Sequence, residues 1–170
     1  MKRFFTDDVL EFICEESIKH ARTKGNHSFN LDSNDLKAFI MILLVSGYVD
    51  LPRRPMFWER SPDVENGAVS SKMSRNRFDE IMKYLHQADN TDIDANDKFS
   101  KVRPLLIKLN EKCLSNYLPE EAISIDESMV PYFGRHGCKQ FMKSKPVKFG
   151  YKLWVAATPI GYAIQFISDM

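Results

Sequence analysis

The hydrophobic pattern of the chain changes its period near Leu118, and this change constrains the fold class most. Before Leu118, apolar residues recur every three or four positions, which is the period of an α-helix. After it, residues 122–130, 151–158 and 161–168 have the alternation or the β-branched and aromatic content of strands. We therefore predict an α+β chain, with a helical region over residues 1–118 and a region of three antiparallel strands over residues 119–170.

Two of the predicted helices carry specific expectations about burial. One begins at Ser33 and ends at Gly47, and its helical spacing predicts that these side chains face the core: Leu36, Phe39, Ile40, Leu43 and Leu44. Another runs from Phe99 to Tyr117, with Pro104 tolerated only near its start. Its predicted inward residues are Val102, Leu105, Leu106, Leu109 and Cys113.

Several protein classes conflict with the sequence. The longest uninterrupted apolar run, Ala38 to Val45, is far shorter than the ~20 residues of a membrane-spanning helix. The N-terminus lacks the apolar stretch of a secretory signal, so an intracellular protein is expected. Cysteines 14, 113 and 138 are widely separated, which favours reduced, separate thiols over disulfides or a zinc site. No small-molecule substrate is indicated.

Asp126 is the candidate catalytic and metal-binding residue. It lies in the middle of the first predicted strand, where aspartate is disfavoured, so it needs a partner or a function. Alternation places it on one face with Ser124 and Ser128, whereas Glu127 lies on the other face. The two carboxylates therefore cannot converge on one metal ion without a bulge. An exposed position or a salt bridge to a nearby lysine is the alternative interpretation.

The segment that follows Asp126 indicates a nucleic-acid interface. Between Glu127 and Asp169 the sequence contains no acidic residue. It contains six basic residues, which are Arg135, Lys139, Lys143, Lys145, Lys148 and Lys152. Five aromatic residues alternate with these cations, a composition typical of surfaces that neutralise phosphates and stack on bases. Aromatic residues in the core and solvated lysines would explain the same composition.

Arg75 and Arg77 form a second candidate DNA contact. Both fall in the first turn of a predicted helix, where positive charge opposes the helix dipole. A phosphate would compensate, because helix N-termini bind anions. Charge pairing on a solvated helix face is the alternative explanation.

Signatures of other enzyme classes are absent from the sequence, which contains no GxSxG, GxxxxGK[ST] or HExxH motif. His136 and Cys138 are close in sequence, but sequence proximity does not supply the geometry of a Cys-His nucleophile.

Four ordered segments of the chain resemble successive parts of piggyBac-type transposases, most closely the vertebrate piggyBac-derived proteins. The segments are FIMILLVSGYVDLPRRPMFW, MSRNRFDEIMKYLHQADN, DKFSKVRPLLIKLNEKC and ISIDESMVPYFGRHGCKQFMKSKPVKFGYKLW. The resemblance implies a helical dimerisation and DNA-binding region followed by a ribonuclease H-like catalytic core. It also implies cut-and-paste DNA transposition by three aspartates with Mg²⁺, DNA as the partner, a homodimer and a nuclear location.

Asp126 matches the first aspartate of the family, and Glu127 follows it there without belonging to the triad. The second and third aspartates have no counterpart in this chain, since Asp169 matches the end of a strand and not a triad motif. We therefore expect the start of a truncated ribonuclease H-like core that is not catalytically active alone and does not bind Mg²⁺ stably. The alternatives are a domesticated DNA-binding or protein-interaction module with no nuclease activity, and a product that never folds stably.

Overall fold

The described part of the chain forms two compact units. The computed structural model describes residues 3–61, 66–90, 93–94, 96–118 and 122–168. Asp7–Gln87 form one unit, which we call the helical unit. Met1–Thr6 and Ala88–Met170 form the other, which we call the sheet unit. Asp169 lies outside the described residues. None of the described helices is long and apolar enough to cross a membrane.

The helical unit is built from helices, two of which, α2 and α4, begin with a polar side-chain cap. Its elements are α1 (Asp7–Thr23), α2 (Ser33–Tyr48), a 3₁₀-helix (Arg54–Trp58), α3 (Gly67–Ser70) and α4 (Arg75–Tyr84). The Asp32 carboxylate accepts hydrogen bonds from the backbone N–H groups of Asn34 and Asp35, and the Ser74 hydroxyl accepts one from Arg77. These bonds satisfy donors that have no partner within the helix and fix where α2 and α4 begin.

Aromatic and aliphatic side chains from four of these elements fill the core of the helical unit. The rings of Phe39 in α2 and Phe78 in α4 stack with their centroids 4.8 Å apart. The Trp58 ring lies 5.2 Å from Phe78 and donates its Nε1–H to the Met73 carbonyl at 2.7 Å. Val9 and Leu10 of α1 are completely buried. The prediction that α2 is a core helix is confirmed.

The predicted orientation and end of α2 are partly wrong. Leu36 and Phe39 are buried, but Ile42 is the third buried residue, while Leu43 and Leu44 are exposed. The apolar run from Ala38 to Val45 has no polar residue to mark the outer face, so its spacing does not determine which side faces inward. The helix also continues past Gly47 to Tyr48, and Gly47 lacks the positive φ of a glycine that ends a helix.

The sheet unit contains one helix and an antiparallel sheet. The helix α5 spans Arg103–Ser115, and the strands are β1 (Ser124–Pro131), β2 (Gln140–Phe141), β3 (Phe149–Ala157) and β4 (Ala163–Ser168). β3 pairs with β1 on one side and with β2 and β4 on the other. The three predicted strands are present. The two-residue strand β2 is too short to have a recognisable hydrophobic period.

Backbone contacts fix the geometry of β3. Gly150 lies so close to β1 that a Cβ atom there would be 2.0 Å from the Val130 carbonyl oxygen, so glycine allows this approach. At the other end of β3, the predicted turn at Thr158–Gly161 leads into β4. Gly161 has φ +87° and donates its N–H to the Thr158 carbonyl at 2.9 Å.

The helix α5 packs against β4 through paired hydrogen bonds. The Asn110 amide donates to the Phe166 carbonyl at 2.7 Å and accepts from the Phe166 N–H at 2.9 Å. The Tyr162 hydroxyl donates to the Cys113 carbonyl at 2.8 Å. These bonds connect α5 to the sheet.

The boundary between the two compact units lies between Gln87 and Ala88, so α5 belongs to the same unit as the sheet. The predicted division of domains near Leu118 stays a prediction, since residues 119–121 lie outside the described part.

The predicted limits and inner face of α5 need correction. The helix begins at Arg103 and not at Phe99, and Pro104 is its second residue, where proline is tolerated. Val102 precedes the helix as its exposed cap residue, and of the predicted inward residues only Cys113 is fully buried. The leucines of this face, at positions 105, 106 and 109, are half-buried.

Candidate nucleic-acid interface around Asp126

Asp126 lies in β1 and faces the solvent. It pairs with Val155 of β3, and its side chain is 71% exposed. Its Oδ1 accepts a hydrogen bond from the Glu127 N–H at 2.7 Å. The Glu127 side chain is 27% exposed, and exposed and half-buried residues alternate from Asp126 to Val130. Ile125, which shares the face of Glu127, is however 70% exposed.

Lys145 forms a salt bridge with Asp126. The Lys145 Nζ lies 3.2 Å from Oδ1 and 3.1 Å from Oδ2 of Asp126, and 3.6 Å from Oε2 of Glu127. The Glu127 N–H bond, followed by the Lys145 ammonium, lowers the pKa of Asp126 below its usual value. The same pairing raises the pKa of Lys145. This contact is the salt bridge that the sequence left open as an alternative for Asp126.

The six basic residues after Glu127 have different surroundings. Arg135, Lys143 and Lys148 are exposed. Lys139 donates to the Gly134 carbonyl at 3.3 Å, and its Nζ lies 5.2 Å from the centroid of the Phe149 ring. Lys152 stands over the Trp154 ring at 5.0 Å. Three of the six cations are therefore exposed, and the other three have partners inside the sheet unit, namely Lys139, Lys145 and Lys152.

The aromatic residues among these cations also divide into two groups. Tyr132 stacks on Tyr151 at 4.9 Å, and Phe99 meets Tyr151 edge-on at 5.6 Å, so these three rings form a small interior cluster. Phe141 and Phe149, opposite each other in β2 and β3, have ring centroids 4.8 Å apart and remain exposed. Some of these rings therefore pack against other rings, whereas others are exposed, and a role of the exposed rings in nucleic-acid binding stays a prediction.

Comparison with known proteins places the chain in a family. A protein-family model described as Transposase IS4 matches residues 2–168. The chain belongs to the piggyBac-type transposase family. It is 51% identical over 166 residues to human PiggyBac transposable element-derived protein 3, and 44% identical over 163 residues to human PiggyBac transposable element-derived protein 2. These matches cover 98% and 96% of this chain but 28% and 27% of the two relatives.

A solved structure supports the fold of this piggyBac-type chain. A piggyBac transposase in a synaptic complex with hairpin DNA superposes with a TM-score of 0.83 over 99% of this chain and 37% of that one. The sequences are 24% identical, so this match concerns the fold alone. The predicted α+β class is confirmed, and the sheet is consistent with part of a ribonuclease H-like core.

The described residues contain no preformed cluster of three or more potential metal ligands. Mg²⁺ takes about six oxygen ligands at about 2.0–2.1 Å. No group of three or more His, Cys, Asp or Glu side chains converges among the described residues. Asp126 and Glu127 both approach the ammonium of Lys145, at 3.1 and 3.6 Å. The metal-binding role of Asp126 stays a prediction.

Arg75 and Arg77 both form ion pairs within the helical unit. The guanidinium of Arg77 lies 2.7 Å from Asp35 and 2.7 Å from Glu80, and it also donates to the Asn30 carbonyl. Arg75 lies 3.5 Å from Asp79. Both arginines are therefore paired with carboxylates, as the alternative explanation of their position expected. These contacts do not support a role in DNA binding, which stays a prediction.

The cysteines are free, buried thiols, as predicted. Burial raises the pKa of Cys14 to about 11 and also raises the pKa of Cys113, which makes both poor nucleophiles at neutral pH. The backbone N–H of Cys138 donates to Nδ1 of His136 at 3.4 Å. This contact uses the backbone of Cys138 and gives its thiol no general base.

One polar contact of the sheet unit was missed by the sequence interpretation. Asp97 ends an acidic, asparagine-rich stretch, and its carboxylate accepts a hydrogen bond from the Phe99 N–H and pairs with Arg103 at the start of α5. The bond from Arg103 lowers the pKa of Asp97. An aspartate just before a helix with an arginine six residues later was the available signal.

Proposed function

We propose that this piggyBac-type chain binds DNA, and that its sheet unit contacts the phosphate backbone. The observation that carries the proposal is the exposure of Arg135, Lys143 and Lys148 in a segment without a single acidic residue. Exposed cations with no nearby carboxylate attract a polyanion without competition from within the segment. The similar transposase solved with hairpin DNA supports DNA as the ligand.

The affinity of the 170-residue chain for a fluorescent DNA duplex, measured by anisotropy across a salt series, tests this proposal. A variant with Arg135, Lys143 and Lys148 changed to alanine should bind more weakly. The slope of log K against log salt should fall by roughly 0.9 for each lost phosphate contact.

The helical unit offers a matched control for charge. Lys24, Arg53 and Lys72 are also exposed, and changing all three to alanine removes the same formal charge. This control should keep most of the salt slope. Equal losses in the two triple variants would mean that net charge, and not the sheet unit, determines binding, and a wild-type slope near zero would reject DNA binding.

We further propose that residues 1–170 bind DNA without cleaving it. The reason is the donor set around Asp126, where Lys145 neutralises the carboxylate and the described residues supply no other acidic side chain except Glu127. Cleavage of labelled DNA in the presence of Mg²⁺ should stay at the level of a protein-free control. Strand cleavage that is lost in Asp126→Asn would contradict this proposal, because it would show a working catalytic carboxylate.

A protein-interaction module is the second candidate function, and exposed apolar side chains favour it. Leu44 and Tyr48 at the end of α2 are exposed, as are Ile125 and Ile167 in the sheet unit. Groups of exposed apolar residues are typical of interaction surfaces. A chain that shows no salt-dependent binding to DNA but self-associates in sedimentation experiments would fit this alternative and the homodimer implied by the resemblance.

A further inference from the structure

Three exposed phenylalanines lie at the end of the sheet where β2 meets β3. Phe133 is 91% exposed, Phe141 is 57% exposed and Phe149 is 50% exposed. Phe141 and Phe149 are paired across the strands and therefore project from the same face. The Tyr132 N–H donates to the Phe149 carbonyl at 3.3 Å, so the chain passes directly from this pairing to Phe133.

One cation contacts these rings, and three others are exposed in the same segment. The ammonium of Lys139 connects two parts of the group, because it donates to the Gly134 carbonyl next to Phe133 and lies over the ring of Phe149. Arg135 is exposed two residues after Phe133, and Lys143 and Lys148 are exposed in the loop between β2 and β3. This arrangement of exposed aromatic side chains beside positive charge, with no carboxylate in the segment, complements a ligand that carries both flat aromatic groups and negative charge.

We propose that Phe133, Phe141 and Phe149 form a stacking site for unpaired DNA bases. The inference rests on the proposed DNA binding and names the form of DNA that this part of the sheet unit recognises. Bases within a duplex are stacked on each other, so their faces are not accessible to a protruding ring. An unpaired base offers both faces, and a lysine or arginine beside the ring binds the phosphate of the same nucleotide.

Binding to two probes tests the inference. The 170-residue chain is titrated with a fluorescent oligothymidylate and with a duplex of the same length, at one salt concentration. Phe133→Leu keeps an apolar side chain but removes the aromatic face, and Phe133→Tyr retains a ring. The leucine variant should lose about 5- to 100-fold in affinity for the single strand, as expected for one stacked base, and less than about 2-fold for the duplex. The tyrosine variant should bind like the wild type.

Phe141→Leu extends the test to the paired rings, and Ile160→Ala is the matched control. Ile160 is 85% exposed in the same unit but has no ring, so its truncation should leave both affinities unchanged. Thermal unfolding of each variant establishes that the fold is retained. A loss in Phe141→Leu that is also specific for the single strand supports one site made by several rings.

Other outcomes overturn the inference in distinguishable ways. Equal losses for single strand and duplex would mean that Phe133 contributes to general binding and not to stacking. Unchanged affinities in both leucine variants, with salt-dependent duplex binding intact, would reject the stacking site and leave the proposed function standing. Failure of the wild-type chain to bind either probe would reject the proposed function itself. Loss of self-association in Phe133→Leu without a change in DNA affinity would identify the rings as a protein contact and also reject the site.

Discussion

The two units of this chain bury their apolar side chains to very different extents. The largest fully buried side chains among the described residues, including Phe39, Phe78, Leu36 and Ile81, all belong to the helical unit. Most of the exposed large hydrophobic residues belong to the sheet unit, where Ile125 is 70% exposed and Ile167 is 55% exposed. The helical unit thus has its own packed core, whereas the sheet unit presents much of its apolar surface to solvent.

This difference indicates how stability and function are distributed. Burial of apolar area is the main stabilising term in folding, so the helical unit should hold most of the stability. The sheet unit carries Asp126 and the exposed cations and phenylalanines of the segment without acidic residues, which are the features that we propose to contact DNA. Groups of exposed apolar side chains in folded proteins typically mark surfaces that bind another molecule.

The largest expected effect is on stability, and it should differ between a buried isoleucine in the helical unit and an exposed isoleucine in the sheet unit. Ile81→Ala, in a fully buried position, should destabilise the chain by about 2–5 kcal/mol, because it removes buried methyl groups and leaves a cavity. Ile125→Ala should cost about 1 kcal/mol or less, since only strand propensity and partial contacts are lost. Denaturant unfolding followed by circular dichroism measures both, and similar costs for the two variants would break the comparison.

A smaller effect is expected at the polar contacts of Arg77. Its guanidinium joins Asp35, Glu80 and the Asn30 carbonyl in the helical unit, and its side chain is 27% exposed. Arg77→Ala should cost about 1–2 kcal/mol, because charged hydrogen bonds are lost from a partly buried site. Arg75→Ala should cost less than about 0.5 kcal/mol, since Arg75 is more exposed and its ion pair is longer.

The same two arginine variants sharpen the assignment of DNA contacts. If both residues act only within the helical unit, each variant keeps the salt slope of DNA binding once its stability has been accounted for. A slope that falls by about 0.9 in either variant would restore the prediction that this residue contacts phosphate.

A further effect is a pH-dependent contribution from Asp97 in the sheet unit. Because Arg103 lowers the pKa of Asp97 in the folded chain, the carboxylate stabilises the fold above its unfolded pKa, and this stabilisation is lost as the pH falls through the folded pKa. Asp97→Asn should therefore cost about 1 kcal/mol at pH 7 and progressively less in acid, as the pH falls below the ordinary aspartate pKa of about 3.9. A cost that stays constant between these pH values would show that the ion pair is not its source.

The sequence predicted those parts of the fold that depend on local patterns. The change of period near Leu118, the strand that carries Asp126 and the proline at the start of α5 are all local signals, and the structure contains each corresponding element. The buried face of α2 was not predictable, since an uninterrupted apolar run contains no polar residues that would mark the face exposed to solvent. Ile42 is buried there only because of what packs against it.

The candidate site was predicted less completely, because its contacts are distant in sequence. Lys145 reaches Asp126 from 19 residues away, and no spacing rule selects it from the six cations of the segment. Arg77 similarly meets Asp35 across 42 residues. The sequence indicated which residue types were available, but the tertiary structure decided which cations are paired and which remain exposed.

The central claim is that the sheet unit contacts DNA while the helical unit provides a self-contained fold, and hydrogen exchange tests it most directly. Exchange of the 170-residue chain is measured by mass spectrometry with and without DNA. We expect peptides from residues 132–152 to gain protection when DNA is added, while peptides from α2 and α4 exchange slowly and equally in both samples. Protection confined to the helical unit, or rapid exchange in α2 and α4 without DNA, would contradict the account.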